Sequence, residues 1–186
     1  MSVANESAPI AGPDGPQRGL SPDAVYPIML TQLRGAPVIV VGGGPVGERK
    51  VRGLLTVGAA VHLISPEATP RLQTWVETGQ IEWEKRPYQA GDLAGAVLVF
   101  AATNQRAVNA RVAQEAAELG LLCNVADAPN EGNFYLPAVH RSPNTVIVVS
   151  TAGRSPAQAR QLRDRLAEWL TRQTDLTLAE ENDGRR

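Results

Sequence analysis

Short apolar runs and longer helical patterns alternate along most of the chain. The run Pro37–Val41 is continuously apolar and largely β-branched, which is typical of a strand buried on both faces of a sheet. A helical pattern follows, from Pro45, which suits the first helical position, to Gly58, which suits a C-terminal cap. This alternation predicts an α/β fold with a Rossmann-type parallel sheet. Further strands are predicted at 61–64, 81–84, 96–102 and 121–125, and further helices at 68–78 and 104–119.

The pattern changes after residue 127. Two strand-like runs, 134–140 and 145–150, are separated by turn-forming residues and predict an antiparallel hairpin. Ser155 and Pro156 then open a last helix with an apolar stripe. We therefore divide the chain into a disordered tail (1–22), a Rossmann domain (23–129), a hairpin-plus-helix segment (130–175) and a frayed end (176–186).

Composition and charge exclude several classes of function. The 186 residues carry a net charge of −1 without a basic block, which argues against a nucleic-acid-binding face. The apolar runs are shorter than the about 20 residues of a membrane helix, and no secretory signal is recognisable. Cys123 is the single cysteine, so no disulfide framework is expected, and neither it nor the two histidines suggest a metal site. We expect a cytoplasmic protein that binds neither nucleic acid nor membrane, with Cys123 in its core.

The first strand–helix junction carries a glycine-rich motif. Residues 42–47 satisfy G-x-G-x-x-G directly after a buried strand and at the start of a helix, which is the context of a dinucleotide-binding loop. Gly42 then permits the tight turn, Gly44 lets a pyrophosphate approach the backbone, and Gly47 lets the helix pack closely on the strand. The alternative is a tight turn without a ligand.

The second strand ends differently from that of most dinucleotide-binding domains. Its carboxylate, Glu67, lies later than the usual acidic residue, so the adenosine ribose contacts either this carboxylate or the backbone at Pro66. No arginine stands at this corner to bind a 2′-phosphate. NAD is therefore favoured over NADP as the cofactor.

Polar residues follow two later strands of the predicted sheet. Asp127 comes just after the strand at 121–125, where it is either a general base or a turn aspartate before a proline. Asn104 either lines the cofactor crevice or begins its helix. Residues 151–153 either offer backbone donors to an anion or form an ordinary loop.

Taken together, the motifs resemble a known family. Gly42–Lys50 is similar to the nucleotide loop, often G-G-G-x-V-A-x-R-K, of the precorrin-2 dehydrogenase/sirohydrochlorin ferrochelatase family, the N-terminal module of siroheme synthase. The resemblance extends from about Tyr26 to Leu170. The other motifs follow in the family's order and spacing: Ala101–Asn104, Asn124–Pro129, Phe134-x-x-Pro137 and Ser150–Pro156.

The resemblance implies an NAD-dependent oxidation of precorrin-2 to sirohydrochlorin and, in some members, insertion of Fe²⁺ to give siroheme. It assigns Asp127 to both steps, and it implies a homodimer joined through the segment after the nucleotide domain. Thr151 occupies a position that can be a phosphorylated serine in the family. Substrate carboxylates need arginines or backbone N–H groups, and the candidates by location are Arg141, Thr151, Arg154 and Arg160. The implied cofactor contacts are Pro45, Val46, Pro66 and Glu67.

Two departures from the family and one rival function change these expectations. The chain stops soon after its last predicted helix, where longer relatives continue, so ferrochelation is less expected than dehydrogenation. The methyltransferase domain of the fused synthase is absent, so uroporphyrinogen methylation is not expected. The rival is a regulatory Rossmann domain that senses NAD without catalysis. Such domains usually carry an acid at the end of the second strand and lack the segments 124–129 and 150–156.

Overall fold

The parallel sheet predicted from the sequence is confirmed. The computed structural model describes residues 25–143 and 145–183, so the tail predicted at 1–22 lies outside the described residues. Five parallel strands form one sheet in the order β3-β2-β1-β4-β5, which matches the first five strands of the Rossmann order 3-2-1-4-5-6. The strands are β1 (Pro37–Gly43), β2 (Ala60–Ala68), β3 (Glu82–Glu84), β4 (Leu98–Ala101) and β5 (Leu122–Val125).

Helices cover both faces of this sheet, and β1 shows why its sequence is apolar throughout. Val38 and Val40 point into a core shared with α1 (Pro45–Leu55) and α2 (Pro70–Glu77). Ile39 and Val41 point into a second core, shared with α3 (Arg106–Glu118). Since successive residues of a strand face opposite sides, a strand between two helical layers needs apolar residues at every position.

The chain after the sheet forms a separate hairpin-plus-helix unit, as predicted. Strands β6 (Ala138–Ser142) and β7 (Thr145–Val149) pair antiparallel, and α4 (Pro156–Asp183) packs on both. Ser155 caps this helix, because its Oγ accepts a hydrogen bond of 3.2 Å from the backbone N–H of Gln158. Helix α4 continues into the segment 176–186 that we expected to fray, where leucine, alanine and glutamate are good helix formers.

The first hairpin strand is shorter than predicted. Of the run 134–140, pairing begins only at Ala138, because the preceding chain is bound to the Rossmann sheet. There, Asn133 donates its backbone N–H to the Cys123 carbonyl at 3.0 Å, and its side-chain oxygen accepts the Cys123 N–H at 2.8 Å. Phe134 packs against the core beside β4. These residues cover the outer edge of β5 instead of extending β6.

Strand β2 is longer than the predicted run 61–64. After an irregularity in β1, Gly43 pairs with Ala68, and this pairing draws the chain through Pro66 and Glu67 into the strand. The end of β2 therefore lies directly beside the glycine-rich loop.

The helical spacing predicts an inner face of α3 formed by Val108, Val112, Ala116 and Leu119. Val112 and Ala116 are buried and Val108 packs against the core, but Leu119, which follows the helix, is 52% exposed. A polar side chain, Asn109, is also completely buried near the start of the helix. The buried residues of α3 are Asn109, Val112, Ala113 and Ala116.

Among residues 25–143 and 145–183, no helix combines the length and apolar character that crossing a membrane requires.

Candidate active site

The glycine-rich loop lies at the carboxyl end of β1, where three glycines meet three different surroundings. Gly42 has a φ of +116°, and a Cβ there would lie 2.5 Å from the carbonyl oxygen of Ala102. At Gly43 a Cβ would lie 2.1 Å from the carbonyl oxygen of Glu67. At Gly44 the φ is −81° and a Cβ would meet no atom within 4 Å. The folded chain itself therefore does not require glycine at position 44, whereas close approach of a ligand does.

The N-terminus of α1 is built to face an anion. Gly44 is the N-cap and provides no side chain to bind the first N–H groups, and Pro45 occupies the first helical position. Free N–H groups and the helix dipole together favour a phosphate at this end. The open space at Gly44 and this uncapped terminus thus fit the pyrophosphate of a dinucleotide.

The end of β2 forms one wall beside the loop. Buried Ser65 accepts a hydrogen bond of 2.9 Å from the Gly43 backbone N–H and so attaches the strand to the loop. The next two residues, Pro66 and Glu67, are exposed on the same edge. A carboxylate is also present on the α1 side of this corner, where Glu48 accepts a hydrogen bond from the Thr69 hydroxyl at 2.8 Å.

Asp127 lies just beyond β5 at the same carboxyl edge of the sheet, with 37% of its side chain exposed. Its Oδ1 accepts a hydrogen bond of 2.9 Å from Asn109 Nδ2. Its Oδ2 lies 3.9 Å from the guanidinium of Arg106, which is also ion-paired with Glu131. One carboxylate oxygen is therefore fixed by a buried amide, and the other faces a cation at longer range.

The amide of Asn109 connects this carboxylate to the loop after β4. Its Oδ1 accepts hydrogen bonds from the Thr103 N–H at 3.1 Å and the Thr103 hydroxyl at 2.7 Å. Its Nδ2 donates to the Thr103 carbonyl at 3.1 Å as well as to Asp127. Thr103 precedes exposed Asn104, so both strand-end loops that carry candidate residues are joined here. We did not predict a role for Asn109. The available signal was its position three residues before Val112, which places both residues on the same face of the helix.

A second asparagine ties the β5 motif to the chain that follows. Asn124 is buried, donates to the Phe134 carbonyl at 3.0 Å and accepts from Lys50 Nζ at 2.8 Å. Burial, aided by the neighbouring Arg49 charge, lowers the pKa of Lys50 to about 8. Cys123 is a core residue, as predicted, and its burial raises the pKa of the thiol to about 11.

Two of the candidate substrate residues, Thr151 and Arg154, lie on the loop before α4. A Cβ at Gly153 of this loop would lie 3.8 Å from the ring of Tyr135, and the Tyr135 hydroxyl donates to Asn130 Oδ1 at 3.3 Å. Asn130 belongs to the 3₁₀ turn Pro129–Glu131 that follows Asp127. Tyr135 thus lies between the loop containing Thr151 and Arg154 and the edge of the Rossmann domain.

The other two candidate arginines lie on the hairpin and on the last helix. Arg141 is exposed on β6 and Arg160 is exposed on α4, and within the described ranges neither forms an ion pair with Asp127. Within the same ranges, no group of three or more His, Cys, Asp or Glu side chains is arranged to hold a metal ion.

A parallel sheet of this strand order, with a glycine-rich turn leading into a helix N-terminus, defines a dinucleotide-binding domain. The chain belongs to the family described as putative NAD(P)-binding, which matches residues 29–138. The predicted cofactor class is thereby confirmed.

Relatives of this chain carry related names. It is 39% identical over 146 residues to siroheme synthase 1 of Aeromonas salmonicida, covering 78% of this chain and 31% of that protein. It is 43% identical over 141 residues to siroheme synthase of Methylococcus capsulatus, covering 75% of this chain and 29% of that protein. The chain thus spans less than a third of the length of these two curated relatives.

A solved structure is similar over most of both chains. SirC, precorrin-2 dehydrogenase, superimposes with a TM-score of 0.68 at 29% identity, covering 77% of this chain and 70% of that chain. Together with the siroheme synthases, this similarity confirms the family resemblance that the sequence motifs indicated.

Proposed function

We propose that this chain is an NAD-dependent dehydrogenase that oxidises precorrin-2 to sirohydrochlorin during siroheme biosynthesis in the cytoplasm. The observation that carries the proposal is the placement of Asp127, a partly exposed carboxylate on the same sheet edge as the glycine-rich loop, where a Cβ at Gly44 would meet no atom within 4 Å. The names of the siroheme synthase relatives and of SirC support the choice of substrate.

Residues along the carboxyl edge of the sheet have separate roles in this reaction. Oxidation of precorrin-2 removes a hydride and a proton, and NAD⁺ supplies the hydride acceptor when it is bound. Asp127 takes the proton as a general base. Asn104, after β4, lines the crevice between cofactor and base. The cofactor-binding residues are Gly42, Gly44, Pro45, Val46, Gly47, Pro66 and Glu67.

The charges near the end of β2 support NAD over NADP. The exposed carboxylate of Glu67 and the nearby carboxylate of Glu48 disfavour a 2′-phosphate at this corner. The next arginine along the chain, Arg71, lies over the ring of Trp75 at 5.4 Å.

We assign cofactor binding to residues 23–129 and substrate binding and dimerisation to residues 130–175. The substrate carries eight carboxylates, and Thr151 and Arg154 lie on the loop linked to the turn after Asp127. A homodimer is supported by large apolar side chains that are exposed on this unit. These residues are Val146, Val148, Leu162, Leu166 and Trp169.

The test is an anaerobic incubation with enzymatically made precorrin-2 and NAD⁺, followed by visible spectroscopy. We expect the sirohydrochlorin spectrum to grow only when NAD⁺ is present and without added metal. Adding Fe²⁺ afterwards tests whether the product is then chelated. NAD⁺ binding without any oxidation would contradict the proposal and favour a regulatory NAD sensor.

Asp127→Asn tests the proposed base. The variant keeps an acceptor for Asn109, so NAD⁺ affinity and folding should stay near wild type. Turnover should fall by about 10²-fold to 10⁴-fold, the usual contribution of a general base. A variant that turns over at the wild-type rate would remove Asp127 from the mechanism.

A further inference from the structure

Asn109 is a polar side chain without any solvent exposure, held inside the Rossmann domain. A side-chain amide can donate two hydrogen bonds and accept two, and all four are made here. Thr103 supplies two donors to the amide oxygen and one acceptor to the amide nitrogen, and Asp127 supplies the second acceptor. The arrangement fixes which end of the amide faces Asp127, since a flipped amide would turn its N–H groups toward the Thr103 N–H and its oxygen toward the Thr103 carbonyl and Asp127 Oδ1.

This orientation makes the two oxygens of Asp127 unequal. Oδ1 faces an N–H donor at 2.9 Å and must therefore remain an acceptor. Oδ2 has no such donor within 3.5 Å among the described residues; its charged neighbour, Arg106, is 3.9 Å away and paired with Glu131. A proton added to Asp127 thus belongs on Oδ2.

We propose that Asn109 is a positioning residue that holds Asp127 so that Oδ2 takes the proton from precorrin-2. In this step a C–H bond of the substrate breaks, its proton forms an O–H bond with Oδ2, and the hydride removed in the oxidation passes to NAD⁺. The inference rests on the proposed function, because it gives Asp127 the role of base. It adds that the buried network through Thr103 sets the direction of that base.

A double-mutant cycle tests the proposal, because a residue that acts through Asp127 has nothing to act on once the base is lost. Asn109→Ala should lower kcat by about 10-fold to 100-fold, the cost of a misplaced reacting group. It should change the Kd of NAD⁺ by less than about twofold. In the Asp127→Asn background, the same substitution should leave the residual kcat nearly unchanged.

Two matched comparisons separate positioning from folding. Val112→Ala removes volume from an equally buried position on the same helix and should lower the Tm while leaving kcat intact. Thr103→Val removes the hydroxyl that binds the amide oxygen and should lower kcat by about 10-fold, whereas Thr103→Ser keeps the hydroxyl and should stay near wild type.

A readout without turnover is the ¹⁵N resonance of the Asn109 side-chain amide. It should shift when Asp127 is replaced by alanine and stay in place in Glu131→Gln. An unshifted resonance in a folded Asp127→Ala variant would overturn the proposal.

The kinetic outcomes distinguish the positioning role of Asn109 from the proposed function. An active wild type in which Asn109→Ala costs the same in both backgrounds overturns the positioning role alone. A wild type that does not oxidise precorrin-2 overturns the proposed function and this inference with it.

Discussion

Replacing Gly44 should separate cofactor binding from folding, because the position is open to solvent and its backbone suits any residue. Its φ of −81° and ψ of −174° are those of an ordinary helix N-cap, and a Cβ would meet no atom within 4 Å. Asn and Asp are both good N-caps and nearly equal in size. Gly44→Asn and Gly44→Asp therefore form a matched pair that differs in charge.

The stability of both variants should stay close to wild type. A capping side chain in place of glycine gains a few tenths of a kcal/mol. For aspartate, attraction to the helix dipole adds about 0.3–1 kcal/mol, while repulsion from Glu48 four residues later removes about 0.2–0.5 kcal/mol. These terms nearly cancel, so the free energy of unfolding should change by no more than about 1 kcal/mol.

Binding of NAD⁺ should respond much more strongly. In Gly44→Asn the side chain occupies the space that the pyrophosphate needs, so affinity falls. Gly44→Asp adds repulsion between unit charges about 4–5 Å apart, worth about 3–4 kcal/mol at an effective dielectric constant of 20. That energy corresponds to a further loss of affinity of about 300-fold to 1,000-fold.

Titration calorimetry with NAD⁺ and thermal unfolding measure the two effects in parallel. Gly43→Ala is the contrasting control, since its Cβ would lie 2.1 Å from the Glu67 carbonyl oxygen and should destabilise the fold by about 1–3 kcal/mol. Unchanged NAD⁺ affinity in Gly44→Asp would refute the placement of the cofactor at this loop.

Three further predictions concern other parts of the chain. Burial lowers the pKa of Lys50 from 10.5 to about 8, so between these pH values the unfolded chain binds more protons than the folded one, and the free energy of unfolding should rise with pH. Lys50→Met should flatten this rise when stability is measured by urea unfolding at several pH values, and an unaltered slope would contradict the prediction. Cys123, 3% exposed and with a raised thiol pKa, should react with a thiol reagent only after unfolding; rapid labelling of the native protein would place it outside the core. Leu166→Glu, on the exposed apolar stripe of α4, should convert a dimer to monomers in sedimentation velocity, whereas Arg165→Glu, outside this stripe, should not. A dimer that persists in Leu166→Glu would exclude the stripe from the interface.

The sheet and its helices could be predicted because their signal is local. The run Pro37–Val41 is apolar at every position, which is the pattern of a strand between two helical layers. Gly42–Gly47 then marks the first junction by composition alone. Neither inference needs knowledge of which distant segments meet.

Two features missed from the sequence depend on contacts between distant segments. The end of β2 is polar and contains Pro66, and it becomes strand only because Gly43 pairs with Ala68. The run 134–140 is strand-like in sequence, but the partner of Phe134 is the Rossmann sheet instead of β7. The periodicity of apolar residues indicates which positions are buried, but it does not indicate which distant segment they pack against.

The asparagines around β5 show how a proposed base on an exposed loop can be held in place. Asn133 and Asn124 attach the following chain to the strand, and Asn109 fixes the carboxylate of Asp127 from the helix side. Each amide offers both a donor and an acceptor, so one side chain can join two segments that are far apart in sequence. A base held before the substrate binds avoids the ordering cost that a free loop would add to the reaction. Strand β5, which directly precedes Asp127, is also the strand to which Asn133 attaches the chain leading into the hairpin-plus-helix unit, so the proposed base and the proposed substrate segment share one support.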